Sequence, residues 1–305
     1  MSEFFKKIAE KPFILASGIL GVSFSSMKRI FEGGAGAVVT KSIGPILRKG
    51  YKNPSIIEIL PGTFINSVGL ANPGIDNFIS EIKELKQNNI TTIVSVFGDS
   101  IETYIQVAVK AQDAGGDAIE LNISCPHAEI SIICQNKQLT YEYVAAVKKE
   151  LKIPLIVKLS PNVTDIGEIA LSAEKAGADA ITAINTVNAM IIDTETQRPI
   201  LVHGSGGLSG KAIHPIAVKK VFDLYKIVKI PIFGCGGVFT GEDAIEFFLA
   251  GASAVQIGSA LYQDYNTITN IINDAKKYLE VHNYKSFSDI VGKAHKFETQ
   301  EAPDF

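Results

Sequence analysis

Gly177-Ala178-Asp179-Ala180-Ile181 closes one helix and opens one strand. Before it, residues 165–176 place Ile166, Ile169, Ala170 and Ala173 on one helical face. Glycine at the helix end supplies a C-cap, and the apolar run that follows reads as a fully buried strand. The same phrase, Gly-small-x-Ala and then an apolar run, recurs at Gly34-Ala35-Gly36-Ala37, Gly115-Gly116-Asp117-Ala118 and Gly251-Ala252-Ser253-Ala254. Three of the four follow an amphipathic helix. Further strands are expected at 13–17, 92–97, 154–159 and 231–234, which brings the number to eight. Right-handed βα units in that number close into a barrel more readily than they form an open sheet. The expectation is an α/β chain folded over 1–305 as one (β/α)8 TIM barrel, with its site at the C-terminal face of the strands.

The 305 residues are 46% hydrophobic and 20% charged, which suits an enzyme with a substantial core. Net charge is −3 and no basic run occurs, which argues against nucleic acid and anionic membrane surfaces as partners. The apolar stretches are strand-length, and the first residues lack the apolar core and cleavage site of a signal peptide. Cys125, Cys134 and Cys235 form neither a disulfide framework nor a zinc spacing. Asn-x-Ser/Thr triplets at Asn89, Asn122 and Asn162 carry little weight without a secretion signal. A reduced, cytoplasmic protein is expected. Two stretches, 44–74 and 188–210, are too long and too rich in Pro, Gly and Asn for simple alternation, and insertions of this kind are usually functional. The polar tail 296–305 is expected to be disordered.

Chemistry concentrates where the strands run out. In Asn122-Ile123-Ser124-Cys125-Pro126-His127, Pro126 cannot continue a central strand, so Asn122 and Cys125 fall at or beyond a strand's C-terminal end. A thiol there can take a proton from carbon. Strands seven and eight end in Gly234-Cys235-Gly236-Gly237-Val238 and Gly258-Ser259, an arrangement whose bare N–H groups suit a phosphate. Thr240 with Glu242 and Asp243 reads as a helix cap next to the first of them. Gly206-Gly207-Leu208-Ser209-Gly210 is a third cluster that can approach the same anion. None of the three spells Gly-x-Gly-x-x-Gly, so a Rossmann dinucleotide site is unsupported. Lys41 and Lys158 each end an apolar run and therefore need an anionic or strongly polar partner.

Over nearly its whole length the chain resembles the dihydroorotate dehydrogenase family. The matching segments, in family order, are Ala16-Ser17-Gly18, Thr40-Lys41-Ser42, Asn66-Ser67-Val68-Gly69-Leu70, Asn122-Ile123-Ser124-Cys125-Pro126, Lys158-Leu159-Ser160-Pro161-Asn162, Ile184-Asn185-Thr186, Gly206-Gly207-Leu208-Ser209-Gly210, Gly236-Gly237 and Gly258-Ser259. The resemblance implies an FMN-binding (β/α)8 barrel that oxidises dihydroorotate to orotate. Cys125 would take the C5 proton while the flavin accepts hydride from C6, and Lys158 would stabilise the reduced flavin. Lys41, Asn66, Val68, Gly69, Leu70, Asn122, His127, Asn185 and Thr186 would hold the substrate. FMN would rest on Ala16, Ser17, Gly18, Lys41, Ser42, Asn122, Lys158, Ile184, Gly210, Gly236, Gly237, Gly258 and Ser259. Cys at position 125 is similar to the soluble class 1 enzymes, whereas class 2 uses Ser. A first strand beginning near Pro12 leaves no room for the class 2 membrane extension. Leu159 to Ile166 and Asn72-Pro73-Gly74 resemble the NAD-linked subgroup. That likeness implies a homodimeric core working with a separate FAD/[2Fe–2S] subunit.

Two departures bear on substrate. His127 stands where the family usually has Asn, and 128–138 lacks the glycines common there. Ser-Cys-Pro-His and Asn185-Thr186-Val187 also resemble the pyrimidine-reducing domain of dihydropyrimidine dehydrogenase, so uracil/dihydrouracil interconversion is the alternative activity. A barrel that binds flavin or pyrimidine without turnover is a third reading, opposed by Lys41, Cys125 and Lys158 being intact. Cys134 and Cys235 read as structural, and Asn72 and Asn188 as turn residues.

Overall fold

The computed structural model describes residues 2–123 and 133–297. Strands follow in chain order as β1 (Phe13–Leu15), β2 (Ala37–Val39), β3 (Ile56–Leu60), β4 (Thr63–Asn66), β5 (Thr92–Val96), β6 (Ala118–Asn122) and β7 (Leu155–Leu159). After these come β8 (Ala180–Ala183), β9 (Val187–Ala189), β10 (Ile192–Asp193), β11 (Arg198–Pro199), β12 (Gly206–Gly210), β13 (Ile232–Cys235) and β14 (Ala254–Ile257). Eight of them close a parallel barrel in the order β1-β14-β13-β8-β7-β6-β5-β2. These are the eight strands expected from sequence.

The repeated glycine has a physical cause. Gly34, Gly115, Gly177 and Gly251 have φ of +111°, +113°, +98° and +119°, so each ends its helix in a conformation that disfavours a side chain. Two of the repeats carry an aspartate that the phrase itself did not flag. Asp117 accepts the N–H of Thr92, and Asp179 accepts that of Leu155, each at the start of the preceding strand. Each also pairs with a lysine of the helix that leads into that strand, Lys86 and Lys148.

Alternation along the strands splits the barrel interior into two layers. The lower layer is apolar: Ile14, Ala37, Val39, Ile93, Ala118, Ile156, Ala180, Phe233 and Ala254 pack together, plugged by Phe4 and Ile8 of the helix Glu3–Glu10. Two residues further along the same strands stand Ser95, Glu120, Lys158, Thr182, Cys235 and Gln256. The barrel therefore carries a polar layer on an apolar plug, and that layer faces the C-terminal end.

The two long insertions build one structure. Antiparallel β3-β4-β12-β9 is a four-stranded sheet in which β4 from the first insertion pairs with β12 from the second, Asn66 opposite Gly207. Asn72 clamps the first insertion as a buried side chain whose Oδ1 accepts from the N–H groups of Gly44 and Gly74. At the C-terminus Lys296 and Phe297 close a short 3-10 turn, Lys293–Phe297; the rest of the expected tail lies outside the described residues.

Candidate active site

A cavity of about 420 Å³ opens between the C-terminal ends of the barrel strands and the four-stranded sheet. It falls in the size range of small-molecule sites. The end of β1 contributes Ala16, Ser17 and Gly18, and the turn after β2 contributes Lys41 and Ser42. Asn66, Val68, Gly69 and Leu70 come from the first insertion, Asn122 from β6 and Lys158 from β7. Ile184, Asn185 and Thr186 follow β8, Gly210 ends β12, Gly236 and Gly237 follow β13, and Gly258 and Ser259 follow β14. Every described residue nominated from sequence thus lines one cavity. Cys125 and His127 lie outside the described residues.

The lining amides are anchored. Asn122 Nδ2 donates to Ser42 Oγ at 2.9 Å, Ser42 Oγ lies 2.9 Å from Ser95 Oγ, and Tyr104 OH donates to the Asn122 carbonyl at 3.0 Å. Asn66 Nδ2 donates to the Gly207 carbonyl at 3.1 Å, which ties it to the partner insertion. Asn185 Oδ1 accepts the Thr186 N–H at 2.8 Å. Gly69 and Leu70 are both left-handed, with φ of +73° and +55°. A leucine in that region stores of order 1–3 kcal/mol, a strain that clusters at ligand sites.

Sequence reasoning passed over several wall residues. Tyr51 and His203, one from each insertion, stack with centroids 3.8 Å apart at 11° and both reach the cavity. Asn188, expected in a turn, is a β9 residue at the wall. Cys235, expected to be purely structural, also lines the cavity, whereas Cys134 is buried elsewhere. Glu120 was the hardest to suspect and is the most unusual. It is fully buried, its Oε2 accepts from Thr182 Oγ1 at 2.9 Å and Gln256 Nε2 at 2.8 Å, and its Oε1 lies 3.9 Å from Lys158 Nζ. A glutamate two residues from each of Ala118 and Asn122, in an otherwise apolar strand, was the available signal.

Lys158 is 5% exposed. Burial works against its ammonium, but the Cys235 sulfur and the Glu120 carboxylate favour it, and its pKa ends above the usual lysine value. Burial is also the largest influence on Cys235 and pushes the thiol up, with Lys158 pulling it down and Glu120 pushing it up again. Burial therefore favours the protonated sulfur, and the Glu120 carboxylate lies 3.9 Å from the lysine. The floor of the cavity is a held cation.

The glycines differ in what they do. At Gly237 (φ +69°) a Cβ would come within 2.7 Å of both the Gly210 carbonyl oxygen and His214 Cβ, so the turn itself demands glycine. At Gly258 a Cβ would meet only Ala16 Cβ at 3.3 Å and Ile19 Cγ1 at 3.7 Å, and the backbone lies bare to the cavity. Gln256 Oε1 is buried without a hydrogen-bond donor among the described residues. A bare backbone at the strand ends, a held cation and an unsatisfied acceptor fit a flavin with its phosphate.

Fold and site together define a barrel enzyme whose mouth is built around a buried lysine and a ring of anchored amides. The model of the dihydroorotate dehydrogenase family matches residues 2–279. The chain belongs to the dihydroorotate dehydrogenase family, a flavin-dependent group of oxidoreductases. It is 48% identical over 293 residues to the protein named dihydroorotate dehydrogenase B (NAD(+)), catalytic subunit, of Methanocaldococcus jannaschii, covering 94% of this chain and 95% of that one. The protein of the same name from Pyrococcus abyssi is 46% identical over 290 residues, 94% and 96% of the two chains. Among solved structures, DHODH from Eimeria tenella in complex with ferulenol superposes with a TM-score of 0.83 at 22% identity, over 93% of this chain and 85% of that one. That likeness is one of fold. Among the described residues no helix is long and apolar enough to cross a membrane.

Proposed function

We propose that dihydroorotate is oxidised to orotate in the cavity at the strand ends, with FMN as the bound flavin. The observation that carries this reading is the buried Lys158 beneath anchored amides, a preorganised positive charge where negative charge has to be stabilised. FMN, when bound, supplies the hydride acceptor. The protein supplies everything else. Cys125, assigned from sequence, takes the proton from substrate C5. Asn66, Asn122 and Asn185 orient the planar ring with amides already fixed in place, and Thr186 stands beside them. Lys41 and the backbone of Val68, Gly69 and Leu70 take the carboxylate, and His127, assigned from sequence, joins them in binding substrate. Ala16, Ser17, Gly18, Ser42 and Ile184 frame the flavin, while Gly210, Gly236, Gly237, Gly258 and Ser259 take its phosphate. We infer a cytoplasmic homodimer of single-domain barrels that passes electrons to NAD through a separate FAD/[2Fe–2S] subunit. The relatives' name, a catalytic subunit of an NAD(+) enzyme, supports the separate subunit.

The strained turn at Gly69 and Leu70 and the cationic Lys41, all on the cavity wall, favour a substrate carrying a carboxylate over uracil. The test is colour under anaerobic conditions. Dihydroorotate should bleach the yellow protein and dihydrouracil should not; bleaching by dihydrouracil alone would transfer the assignment to the alternative activity.

A further inference from the structure

Below the anchored amides the barrel holds an ion pair of which the proposed reaction uses only one member. A carboxylate with no exposure is costly unless it is hydrogen-bonded and paired. The fold satisfies Glu120 on one side only: Thr182 and Gln256 both donate to Oε2, and they lie 3.1 Å from each other. Oε1 receives no hydrogen bond among the described residues and lies 3.9 Å from Lys158 Nζ. That distance is too long for a hydrogen bond and short enough for strong attraction in a buried place. The strand register explains the spacing. In the β6–β7 register Glu120 pairs with Ile156 and Lys158 with Asn122, so two members of the one polar layer stand on neighbouring strands, offset by two residues. Lys158 lines the cavity, and its counter-ion Glu120 does not.

We propose that Glu120 is a positioning residue, the built-in counter-ion that keeps Lys158 charged before any anion enters the cavity and leaves the lysine's N–H donors unspent for that anion. This deepens the role proposed for Lys158 and rests on it. Among the described residues, the titratable groups that bear on Lys158 are Glu120 from β6 and Cys235 from β13, and burial favours the protonated thiol. Among the described residues, removing Glu120 leaves only Cys235, whose thiol burial tends to keep protonated, to set against burial of the lysine, and burial alone lowers a lysine pKa by up to about 3–5 units. Lysine charge that persists through the neutral and mildly alkaline range in the parent should then be lost within that range.

The experiment follows flavin reduction by dihydroorotate in single turnovers of the holoenzyme, parent against Glu120→Gln. The ratio of variant to parent rate should fall about tenfold between about pH 7 and pH 9 as the unsupported ammonium deprotonates. A ratio that is low but flat with pH overturns the positioning role. A second measurement stands apart from the flavin reaction: denaturant unfolding of the full chain carrying Glu120→Gln, Lys158→Met, or both. The pair should be coupled, the double variant being less destabilised than the two singles summed, because each single leaves a buried charge alone. Strict additivity overturns the counter-ion role. If Glu120→Gln alone does not fold, adding Lys158→Met should restore folding, and failure to do so also overturns it. If dihydroorotate does not bleach the parent, the reading of the site fails instead, and the unfolding cycle still decides the pair.

Discussion

Cys125 is assigned as the base from its sequence position, three residues after the end of β6, and Cys235 stands on the cavity wall. Burial above all holds Cys235 in the protonated form, which makes it a poor base near neutrality. Cys125→Ala should therefore keep its flavin and lose ~10²–10⁴-fold in turnover, with no substitute from Cys235. The sign of the pH effect follows. The parent rate should rise with pH as the Cys125 thiolate forms, and Cys235→Ser should leave that rising limb at the same pH. A limb that moves with Cys235 reassigns the base. Gly258 offers a test of the phosphate site that its neighbours do not. Leucine at Gly258 meets little protein and projects into the cavity, so Gly258→Leu should fold normally and lose FMN on dialysis, read by flavin absorbance. The same change at Gly237 collides with His214 and the Gly210 carbonyl in a left-handed turn, so there the fold should weaken as well. Full flavin retention by a folded Gly258→Leu protein would sink the phosphate assignment.

At the scale of the element, the repeat does more than punctuate. Asp179 bonds the Leu155 N–H and pairs with Lys148, and so joins two strands and a helix at the barrel's base. Half-exposed pairs contribute little, but a charge-assisted bond to a strand N–H contributes more, so Asp179→Ala should cost about 1–2 kcal/mol in denaturant unfolding with activity kept. A cost near zero would leave the repeated aspartate without a structural role. The eight strands were legible because each is a short apolar run next to a helix end whose cap is local chemistry. Thr240, for instance, closes a capping box with Asp243, and Asp165 caps the helix Ile166–Lys175. The second sheet was not legible. Asn66 and Gly207 are 141 residues apart, and pairing at that distance leaves no periodic trace in either segment. For the same reason the insertions could be marked as functional while the Tyr51–His203 stack that joins them could not be foreseen. The polar layer lies between these cases. Lys158, ending an apolar run, calls for an anionic partner, but Glu120 belongs to another strand, and the parallel pairing of β6 with β7 brings the two within 3.9 Å.

For the whole molecule the open question is where the electrons go. The sequence has no Gly-x-Gly-x-x-Gly fingerprint, and its three cysteines are too few and too scattered to hold an iron–sulfur centre. Both insertions that wall the cavity expose large apolar side chains, Ile46, Leu47 and Leu60 on one and Met190, Ile192 and Val202 on the other. Contiguous apolar patches of this kind of side chain, where they form, mark surfaces that other proteins cover. The relatives' name, a catalytic subunit, points the same way. The isolated chain should therefore turn over slowly with dihydroorotate and NAD, and should accelerate when a separate FAD/[2Fe–2S] protein is added. Steady-state assays with fumarate provide the counter-test. Rapid oxidation of dihydroorotate with fumarate, indifferent to any added protein, would refute the partner and leave the cavity's assignments intact, because those rest on Lys158 and the anchored amides and not on the acceptor.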